Sequence, residues 1–435
     1  MAFLTFKGGV HPPDHKEATA HKNIENFPAP KMLYVPMLQH IGSVLEPLVA
    51  VGDRVLKGQK IADSTAFLSV PVHSPVSGKV KKIEILPFFR GKVNTVVIEN
   101  DGQDEWIEKK TYPNFKELTK EKMLEIIREN GIVGLGGAAF PTHVKLNPPK
   151  DKKIDTLLIN SAECEPYLNP DNRLMIEEAE AFIQGIEIVM HLLGVDKAIV
   201  GIEHNKPDSI KVIENLFKDK PNMSVAVLET KYPQGGEKQL IKAVLNREVP
   251  SGKLPLEVGV VVHNTTTVYA IYNAFFKGIP LIDEIMTVSG KGIKNPGNFR
   301  VPLGTMVSEL LDVVGIDREA TKKLVAGGPM MGAGQYTDLV PVIKGTSGIL
   351  ALTKEEINET RTRACISCGK CVDACPLNLS PIMYAKLARF ENWEELDKYS
   401  LFDCMECGTC QYVCPANRPL IEAIKLGKAK LRSMK

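Results

Sequence analysis

Two cysteine runs near the C-terminal end carry the most specific chemical signal in the sequence. Each run reads C-x2-C-x2-C-x3-C-P, and together they hold eight of the nine cysteines. In this spacing three thiolates converge on one cubane iron–sulfur cluster, while the fourth, followed by a helix-breaking proline, turns away to the other cluster. We therefore predict two 4Fe-4S clusters that exchange their fourth ligands. The predicted sets are Cys365, Cys368, Cys371 and Cys414 for the first, and Cys404, Cys407, Cys410 and Cys375 for the second.

A pair of zinc sites is the alternative for these cysteines. Zinc sites usually separate their C-x-x-C pairs by a longer loop and often include histidine, whereas no histidine follows His263. The spacing therefore favours iron–sulfur clusters. The remaining cysteine, Cys164, leaves no disulfide framework, so we expect a reducing compartment and interpret Cys164 as a packed thiol.

Composition excludes several classes of protein. The 435 residues are enough for several domains, and 44% hydrophobic with 24% charged residues is typical of a soluble globular protein. A formal charge of +2 gives no sign of a nucleic-acid-binding surface. No apolar run approaches the ~20 residues that span a bilayer, and the N-terminal residues do not resemble a signal peptide. We expect a cytoplasmic protein that meets a membrane only through partners.

The elements that must exchange electrons with the clusters lie in the middle of the chain. An apolar strand at residues 156–159 opens into the loop at 160–167, and two further strand–helix units follow. The strand at 225–228 is followed by a glycine turn that leads into another helix. Because ligands bind at the carboxyl ends of the strands in an open α/β sheet, these loops are predicted to meet at one ligand site.

A glycine-rich turn precedes the first of these strands. Four glycines lie within residues 131–137, and Lys145 follows shortly after. The backbone N–H groups of such a turn can approach a phosphate without Cβ obstruction, and a lysine can supply the counter-charge. The turn is not a Walker A loop, because no Gly-Lys-Ser/Thr ends it. From glycine content alone, an ordinary tight loop is the simpler interpretation.

These motifs together resemble the flavin-bearing subunit of respiratory complex I. Residues 134–141 are similar to that family's Gly-Arg-Gly-Gly-Ala-Gly-Phe-Pro, and residues 160–166 to its Asn-Ala-Asp-Glu-Ser-Glu-Pro. Gly236-Glu237 resembles its Gly-Glu-Glu, and residues 262–267 its turn rich in asparagine and threonine. In that family these loops bind FMN and NADH.

The departures from the complex I pattern match a second family, RnfC, the NADH-side subunit of the Rnf electron-transport complex. The departures are Leu135, Ala139, Ala162 and Lys238. The RnfC family also begins with Phe-Lys-Gly-Gly-Val-His-Pro-Pro, which stands here at residues 6–13. The resemblance runs through the whole chain in order.

The resemblance implies a role for each matching residue, with the hydride chemistry supplied by the cofactor. The FMN phosphate would be held by Gly134, Gly136, Gly137 and Lys145, and the flavin ring and ribityl chain by Asn160, Glu163 and Asn264. Phe140 would stack with NADH, and Glu165 and Glu237 would line the nicotinamide–ribose side as catalytic residues. The alternative for Glu163 and Glu165, less favoured even without the resemblance, is that acidic residues after a strand merely cap the following turn.

The flanking regions complete a multidomain α/β and α+β protein. Residues 31–100 resemble a biotinyl/lipoyl barrel-sandwich domain, with Phe67 in place of the modified lysine, so we expect a structural or docking role. Residues 286–314 resemble the soluble-ligand-binding β-grasp (SLBB) domain. The predicted domains are an N-terminal segment with a barrel-sandwich hybrid over 1–108, a Rossmann-like FMN/NADH domain over 109–280, a β-grasp domain over 281–340 and an α-helical two-cluster ferredoxin domain over 341–435.

Three lesser features are interpreted as structural. The histidines His11, His15 and His21 are expected to be solvated loop residues rather than metal ligands. Met330 and Met331 are expected to be buried near the flavin or a cluster. The basic C-terminal residues Lys425, Lys428, Lys430, Arg432 and Lys435 are interpreted as a solvated helix face.

By this resemblance the chain would be a peripheral subunit of a membrane-bound, ion-translocating NAD:ferredoxin oxidoreductase, on the cytoplasmic face. It would exchange hydride between NADH and FMN in either direction and pass single electrons through two 4Fe-4S clusters to other Rnf subunits, and indirectly to ferredoxin. One alternative is a flavin and iron–sulfur cobalamin reductase of a propanediol-utilising microcompartment. The other is a non-catalytic electron-wire protein with a vestigial flavin pocket. The segment at residues 6–13 favours the Rnf interpretation over the cobalamin reductase.

Overall fold

The computed structural model describes residues 3–89 and 91–434. The first strand, β1 (Ile24–Asn26), precedes a barrel-sandwich made of β2 (Met32–Pro36), β3 (Glu46–Pro47), β4 (Arg54–Val55), β5 (Lys60–Asp63), β6 (Val72–His73), β7 (Gly78–Phe88) and β8 (Gly91–Asn100). The core of the barrel-sandwich lies between a four-stranded antiparallel sheet (order β2-β8-β7-β4) and a three-stranded one (β3-β5-β6). Leu33, Ile61 and Ile98 are fully buried between the two sheets. Phe67 is 77% exposed on the loop between β5 and β6.

The second part alternates strands and helices around a four-stranded parallel sheet. The two central strands are almost wholly buried: every residue of Ala198–Glu203 is buried, and so is every residue of Thr156–Ser161 except Asn160. Burial on both faces explains why these two strands are continuous apolar runs in the sequence. The edge strand Met223–Leu228 is only partly buried. The elements are α1 (Lys120–Glu129), α2 (Thr142–Lys145), β9 (Thr156–Ser161), α3 (Pro170–Glu177), α4 (Ala179–Leu193), β10 (Ala198–Glu203), α5 (Pro207–Phe217), β11 (Met223–Leu228), α6 (Glu237–Leu245), β12 (Val260–Asn264) and α7 (Thr265–Tyr272). Short 3-10 turns occur at Phe115–Glu117 and Pro255–Val258, and a π turn at Asn273–Lys277.

The strand order of this sheet is β11-β10-β9-β12. The chain therefore moves outward from β9 through β10 to β11 and then crosses back to place β12 on the other side of β9. That reversal creates a crevice at the carboxyl ends of β9 and β12, where open α/β sheets bind ligands. Helices α4 and α7 pack closely on one face of the sheet: a Cβ on Gly185 would lie 2.3 Å from the Val268 carbonyl oxygen.

The elements of the β-grasp domain are β13 (Asp283–Ser289), β14 (Gly297–Pro302), α8 (Val307–Val314), β15 (Thr321–Ala326), β16 (Ala333–Gln335) and β17 (Gly348–Thr353). Together with β1 these strands form a six-stranded sheet in the order β1-β14-β13-β17-β15-β16. The apolar face of α8, which includes Val307 and Leu311, packs in the core of the domain. The sheet extends beyond the predicted span of 281–340, because β1 pairs with β14 and β17 pairs with both β13 and β15. We therefore propose that the β-grasp domain ends after Thr353.

Residues 354–434 form helices and contain no strand, as the α-helical ferredoxin prediction requires. Tyr384, Leu396 and Ile424 are buried in their shared core. The basic C-terminal helix is not wholly solvated: Lys428 is buried and donates to the Cys404 carbonyl and to Glu406 Oε1. Lys435, which belongs to the same prediction, lies outside the described residues. The elements are α9 (Lys370–Asp373), α10 (Pro381–Arg389), α11 (Trp393–Asp397), a 3-10 turn (Leu401–Asp403), α12 (Thr409–Tyr412) and α13 (Leu420–Met434). Across residues 3–89 and 91–434, no helix is both long and apolar enough to cross a membrane.

The first residues do not join the barrel-sandwich that follows them. Residues 3–16, here called the N-terminal strap, contact two other parts of the chain. One is the part built around the four-stranded parallel sheet, here called the parallel-sheet domain, and the other is the helical region 354–434, here called the cluster domain. Leu4 pairs with Leu228, and Val10 pairs with Tyr232. The strap histidines are engaged separately, since His11 Nδ1 lies 3.1 Å from the Thr230 carbonyl and the His15 ring stacks on Tyr167. We propose that the strap is a unit distinct from the barrel-sandwich with which it was grouped over 1–108.

Candidate functional site

A cleft of about 460 Å³ opens at the carboxyl ends of β9 and β12. The β-grasp and cluster domains contribute Glu284, Met331 and Met405 to its walls. The structure brings together every residue that the sequence assigned to FMN or NADH. Its lining includes Gly134, Gly136, Gly137, Phe140, Lys145, Asn160, Glu163, Glu165, Glu237 and Asn264.

The glycine-rich turn forms one wall of the cleft. Gly134 N donates to the Phe140 carbonyl at 2.9 Å, which closes the turn. A Cβ on Gly136 would lie 2.8 Å from the Asn264 side chain, so only glycine lets the turn approach β12 this closely. Ala139 has φ of 55°, a left-handed conformation that favours glycine and that the complex I pattern fills with glycine.

Two asparagines stand side by side where the sheet order reverses. Asn160 on β9 is the direct register partner of Asn264 on β12. Asn160 Nδ2 donates to the Gly235 carbonyl at 2.7 Å, while Asn264 Oδ1 accepts from Thr266 N at 2.9 Å and so caps α7. Both side chains therefore fix the loops around the cleft. Their predicted contacts with the flavin remain a prediction.

Glu163 and Glu165 follow β9 and point in different directions. Glu163 accepts from Asp171 N at 2.7 Å in the first turn of α3. Glu165 accepts from Met330 N at 3.0 Å and from Met331 N at 2.8 Å, which ties the loop after β9 to the β-grasp domain. Burial raises the pKa of the Glu165 carboxyl to about 7, and it also raises the pKa of Glu163 against the opposing charge of Lys16.

Lys145 and Glu237 meet across the cleft. Lys145 Nζ donates to Glu237 Oε1 at 2.6 Å, and each side chain is about one-third exposed. Phe140 lies half-buried in the same cleft wall. Lys145, which the sequence assigned to the FMN phosphate, is thus ion-paired with Glu237, which it assigned to the nicotinamide side.

Two polar atoms of the cleft walls are buried with no hydrogen-bond partner within residues 3–89 and 91–434. They are Thr142 Oγ1 and His263 Nε2. Burial, aided by the charge of Lys145, holds the pKa of His263 well below its usual range, so its ring is neutral. Orphaned polar atoms next to a lysine and a glycine-rich turn suit an anionic, polar-tailed ligand such as FMN.

The cysteines come together in the exchanged pairing. Cys365, Cys368, Cys371 and Cys414 line one small cavity. In the second set, Cys375 lies near Cys404, Cys407 and Cys410. The pKa of the Cys410 thiol is raised mainly by burial and, to a smaller extent, by the negative charges of the other three thiolates. Corresponding loop amides donate to Sγ in both sets: Ser367 N to Cys365 and Glu406 N to Cys404, each at 3.4 Å. The two sets are thus conformational repeats whose four thiol donors suit a 4Fe-4S cluster each.

The second set lies next to the cleft. The Tyr232 hydroxyl, from the cleft wall, donates to the Cys407 carbonyl at 2.7 Å. Met405 belongs to the cleft wall, and a Cβ on Gly236 would lie 2.9 Å from its Cε. In the first set Cys365 and Cys368 are exposed. The two cysteine sets therefore extend from the cleft toward the molecular surface.

Comparison with known proteins gives relatives over nearly the entire chain. The chain is 48% identical over 432 residues to the C subunit of the proton-translocating ferredoxin:NAD(+) oxidoreductase complex of Clostridium ljungdahlii, covering 99% of this chain and 94% of that protein. It is 43% identical to the C subunit of the Na(+)-translocating ferredoxin:NAD(+) oxidoreductase complex of Acetobacterium woodii, covering 98% and 97%. The chain belongs to the RnfC family. Among the further relatives is the C subunit of the ion-translocating oxidoreductase complex of Rhodobacter capsulatus, at 42% identity over 98% of this chain and 83% of that protein.

Four family models match successive parts of this RnfC chain. They are the RnfC barrel sandwich hybrid domain over residues 4–103, the Nuo51 FMN-binding domain over 127–273, the SLBB domain over 285–333 and the 4Fe-4S dicluster domain over 364–418. The predicted fold class is confirmed. A crystal structure of an NAD+-reducing [NiFe]-hydrogenase in the air-oxidized state shares the fold, with a TM-score of 0.52 at 17% identity over 74% of this chain and 67% of that chain.

The structure shows where three RnfC departures from the complex I pattern lie. Leu135 is buried, and its N–H donates to Thr267 Oγ1 at 2.9 Å. Ala162 is buried, and its carbonyl accepts from Lys206 Nζ at 2.7 Å. Lys238 points away from the cleft toward Asp403 of the cluster domain, with Nζ and Oδ1 3.9 Å apart. The third departure therefore serves the interface between two domains.

Sequence reasoning missed several residues of the RnfC cleft. Two of them are the buried carboxylates Asp171 and Glu284. Asp171 accepts from Thr266 Oγ1 at 2.8 Å, and Glu284 accepts from Gly345 N at 2.7 Å. Burial raises the pKa of both carboxyls. Glu284 lies in a β-grasp strand, and nothing local in its sequence points to a ligand. Of the methionine pair, Met330 is only partly buried, although it packs on the apolar cluster that includes Cys407. Met331 is 52% exposed at the cleft, so its predicted burial is wrong.

Proposed function

We propose that this chain is the NAD-side subunit of an ion-translocating ferredoxin:NAD oxidoreductase. It exchanges hydride between NADH and FMN and passes single electrons through two 4Fe-4S clusters to partner subunits. The observation that carries this proposal is the position of the cleft. Through Tyr232 and Met405 the cleft wall contacts the loop that bears Cys404 and Cys407. A two-electron site and a one-electron site are therefore neighbours.

The cleft residues supply binding and orientation. The backbone of the turn at Gly136 and Gly137, together with Lys145, Thr142 and neutral His263, would hold the phosphate end of FMN. Phe140 offers a face on which the nicotinamide can stack, and Glu165 and Glu237 border that side of the cleft. When bound, FMN converts between a hydride donor and single-electron carriers.

The two cysteine sets would carry the electrons onward in a fixed order. The second set, which includes buried Cys407 and Cys410, adjoins the cleft. The first set, with exposed Cys365 and Cys368, lies toward the surface, where another protein of the complex can approach. Backbone N–H groups that donate to the sulfurs stabilise the added negative charge when a cluster is reduced.

The site of action would be the cytoplasmic face of the membrane, with attachment through other Rnf subunits. A reducing compartment keeps the cysteines available for clusters. Ion translocation would belong to membrane-embedded partners. The names of the Clostridium ljungdahlii and Acetobacterium woodii relatives specify different ions, protons and sodium. A chain of this family is thus compatible with either ion.

An anaerobic titration of the reconstituted protein with NADH tests the proposal. Flavin absorbance should bleach with NADH but not with a similar amount of NADPH, and the broad cluster absorbance should follow. A protein that retains two clusters but no flavin would be an electron wire, and the assigned cleft residues would be wrong. Reduced protein whose flavin and clusters are reoxidised by an oxidised cobalamin would favour the cobalamin reductase.

A further inference from the structure

The N-terminal strap contacts both the wall of the cleft and the segment that carries Cys375. Val10 N donates to the Tyr232 carbonyl, and Tyr232 N donates back to the Val10 carbonyl, each at 2.8 Å. One residue earlier, Gly9 N donates to the Ala374 carbonyl at 2.9 Å. Val10, Tyr232, Ala374 and Cys407 share one buried apolar cluster. The strap thus joins the wall of the cleft to the segment that delivers Cys375.

Two consecutive glycines make this contact possible. Gly8 and Gly9 have φ of 81° and 80°, in the left-handed region. A Cβ on Gly8 would lie 2.8 Å from the Cys375 carbonyl oxygen, and one on Gly9 would lie 2.7 Å from the Tyr232 carbonyl oxygen. Both obstacles are backbone atoms, so a side chain at either position would displace the strap, the cysteine segment or both. The glycines are required for conformation and for space.

We propose that Gly8 and Gly9 are positioning residues: they fix the peptide at Ala374 and Cys375 against Tyr232 and thereby set the place and the reduction potential of the second cluster. Peptide dipoles and hydrogen bonds near the sulfurs tune such potentials. Cys375 Sγ accepts a hydrogen bond from Leu379 N at 3.4 Å. A shift of the Cys375 backbone would therefore move the thiolate ligand and also change this hydrogen bond. The inference rests on the proposed function, because it assumes that the second set holds a cluster.

The test compares Gly8→Ala and Gly9→Ala with Gly102→Ala in the fully loaded protein. Gly102 is a matched control, since its φ is 71° and a Cβ there would meet nothing within 4 Å. After chemical reduction, the electron paramagnetic resonance signal and the potential of the second cluster should shift in the first two variants, while those of the first cluster stay unchanged. Electron transfer from reduced flavin to the clusters should slow, and the control should behave as wild type.

Lys231→Met loosens the strap without adding a side chain next to a cysteine. Lys231 Nζ donates to the Phe6 carbonyl at 2.7 Å and lies 4.6 Å from the centre of the Phe6 ring. We expect faster hydrogen exchange at Val10 and a smaller shift of the second-cluster signal. If exchange rises in all three strap variants and the second-cluster signal and potential do not move, the strap is only a tether and the proposal is wrong. A wild-type flavin that NADH does not reduce would instead refute the proposed function, because the cluster signals are read after chemical reduction.

Discussion

Lys145 and Glu237 form an ion pair across the cleft, with 2.6 Å between Nζ and Oε1. The two residues are 92 positions apart, on α2 and at the start of α6. A phosphate would compete with Glu237 for the lysine, or share it, since the ammonium group has three donors. The pair therefore couples the predicted phosphate end of the cleft to its predicted nicotinamide end.

Replacing the two partners separately should separate their roles. Lys145→Met removes the counter-charge for the phosphate, and the loss of a charged hydrogen bond predicts FMN affinity lower by about tenfold or more. Glu237→Gln removes a competing acceptor, so FMN affinity should stay within about threefold of wild type or improve, while KM for NADH rises. Flavin-fluorescence titration and NADH kinetics measure the two effects. Equal losses of FMN affinity in both variants would show that the pair acts only as a structural clamp.

Glu165 should give the protein a pH-dependent stability. Burial raises its pKa from 4.5 to about 7 against the opposing hydrogen bonds from Met330 N and Met331 N. Between these values the folded state holds more protons than the unfolded state, so the free energy of unfolding falls as pH rises. From about pH 5.5 to 8 this one carboxyl accounts for about 2 kcal/mol. Urea unfolding of wild type and Glu165→Gln should show that the variant lacks this part of the slope.

The same ionisation should affect the dinucleotide. As pH rises through 7 the cleft gains negative charge at Glu165, so KM for the anionic NADH should increase in wild type and change less in Glu165→Gln. Glu319→Gln, at an exposed position outside the cleft, is the control. A wild-type KM that does not vary over this range would mean that Glu165 stays in one protonation state.

The exchanged ligand sets predict which cysteine substitutions act together. Cys414→Ala should remove about half of the iron, and adding Cys365→Ser should remove no more, because both residues serve the first cluster. Adding Cys404→Ser to Cys414→Ala should instead remove nearly all of it. Iron and sulfide analysis together with electron paramagnetic resonance reads the result. Sequential pairing, with Cys414 in the cluster of Cys404, would reverse the two outcomes.

Asp403 should hold the cluster domain against the parallel-sheet domain. Its carboxylate accepts from the Ser251 hydroxyl and, at 2.9 Å, from Gly252 N, and it faces Lys238 at 3.9 Å. Asp403→Ala should cost about 1–3 kcal/mol of local stability, because charged hydrogen bonds are lost. Lys238→Ala should cost no more than about 1 kcal/mol, as partly exposed ion pairs do. Hydrogen exchange at Gly252 measures both, and equal effects would contradict this ranking.

Local spacing was enough to predict the parts whose chemistry is local. The cysteine runs predict the exchanged sets, because a C-x2-C-x2-C loop leaves little freedom for its three thiols. The apolar strand at 156–159 and the loop after it predict a ligand site at the sheet edge, because parallel strands end on the same side. The strand–helix unit predicted after that loop is present as the strand Ala198–Glu203 followed by the helix Pro207–Phe217.

Only the tertiary structure decided how these parts meet. No local pattern shows that Glu165 binds the loop at Met330 and Met331 or that Lys145 pairs with Glu237. The same is true of Met405 and Glu284, which line the cleft. The strap is the clearest case. Gly8 and Gly9 each lie against a backbone carbonyl more than 200 residues away, at Cys375 and Tyr232 respectively, and that carbonyl leaves no space for a side chain. The local sequence gives no sign of either contact. Spacing fixes what neighbouring residues can do, whereas contacts between distant segments depend on how whole domains pack.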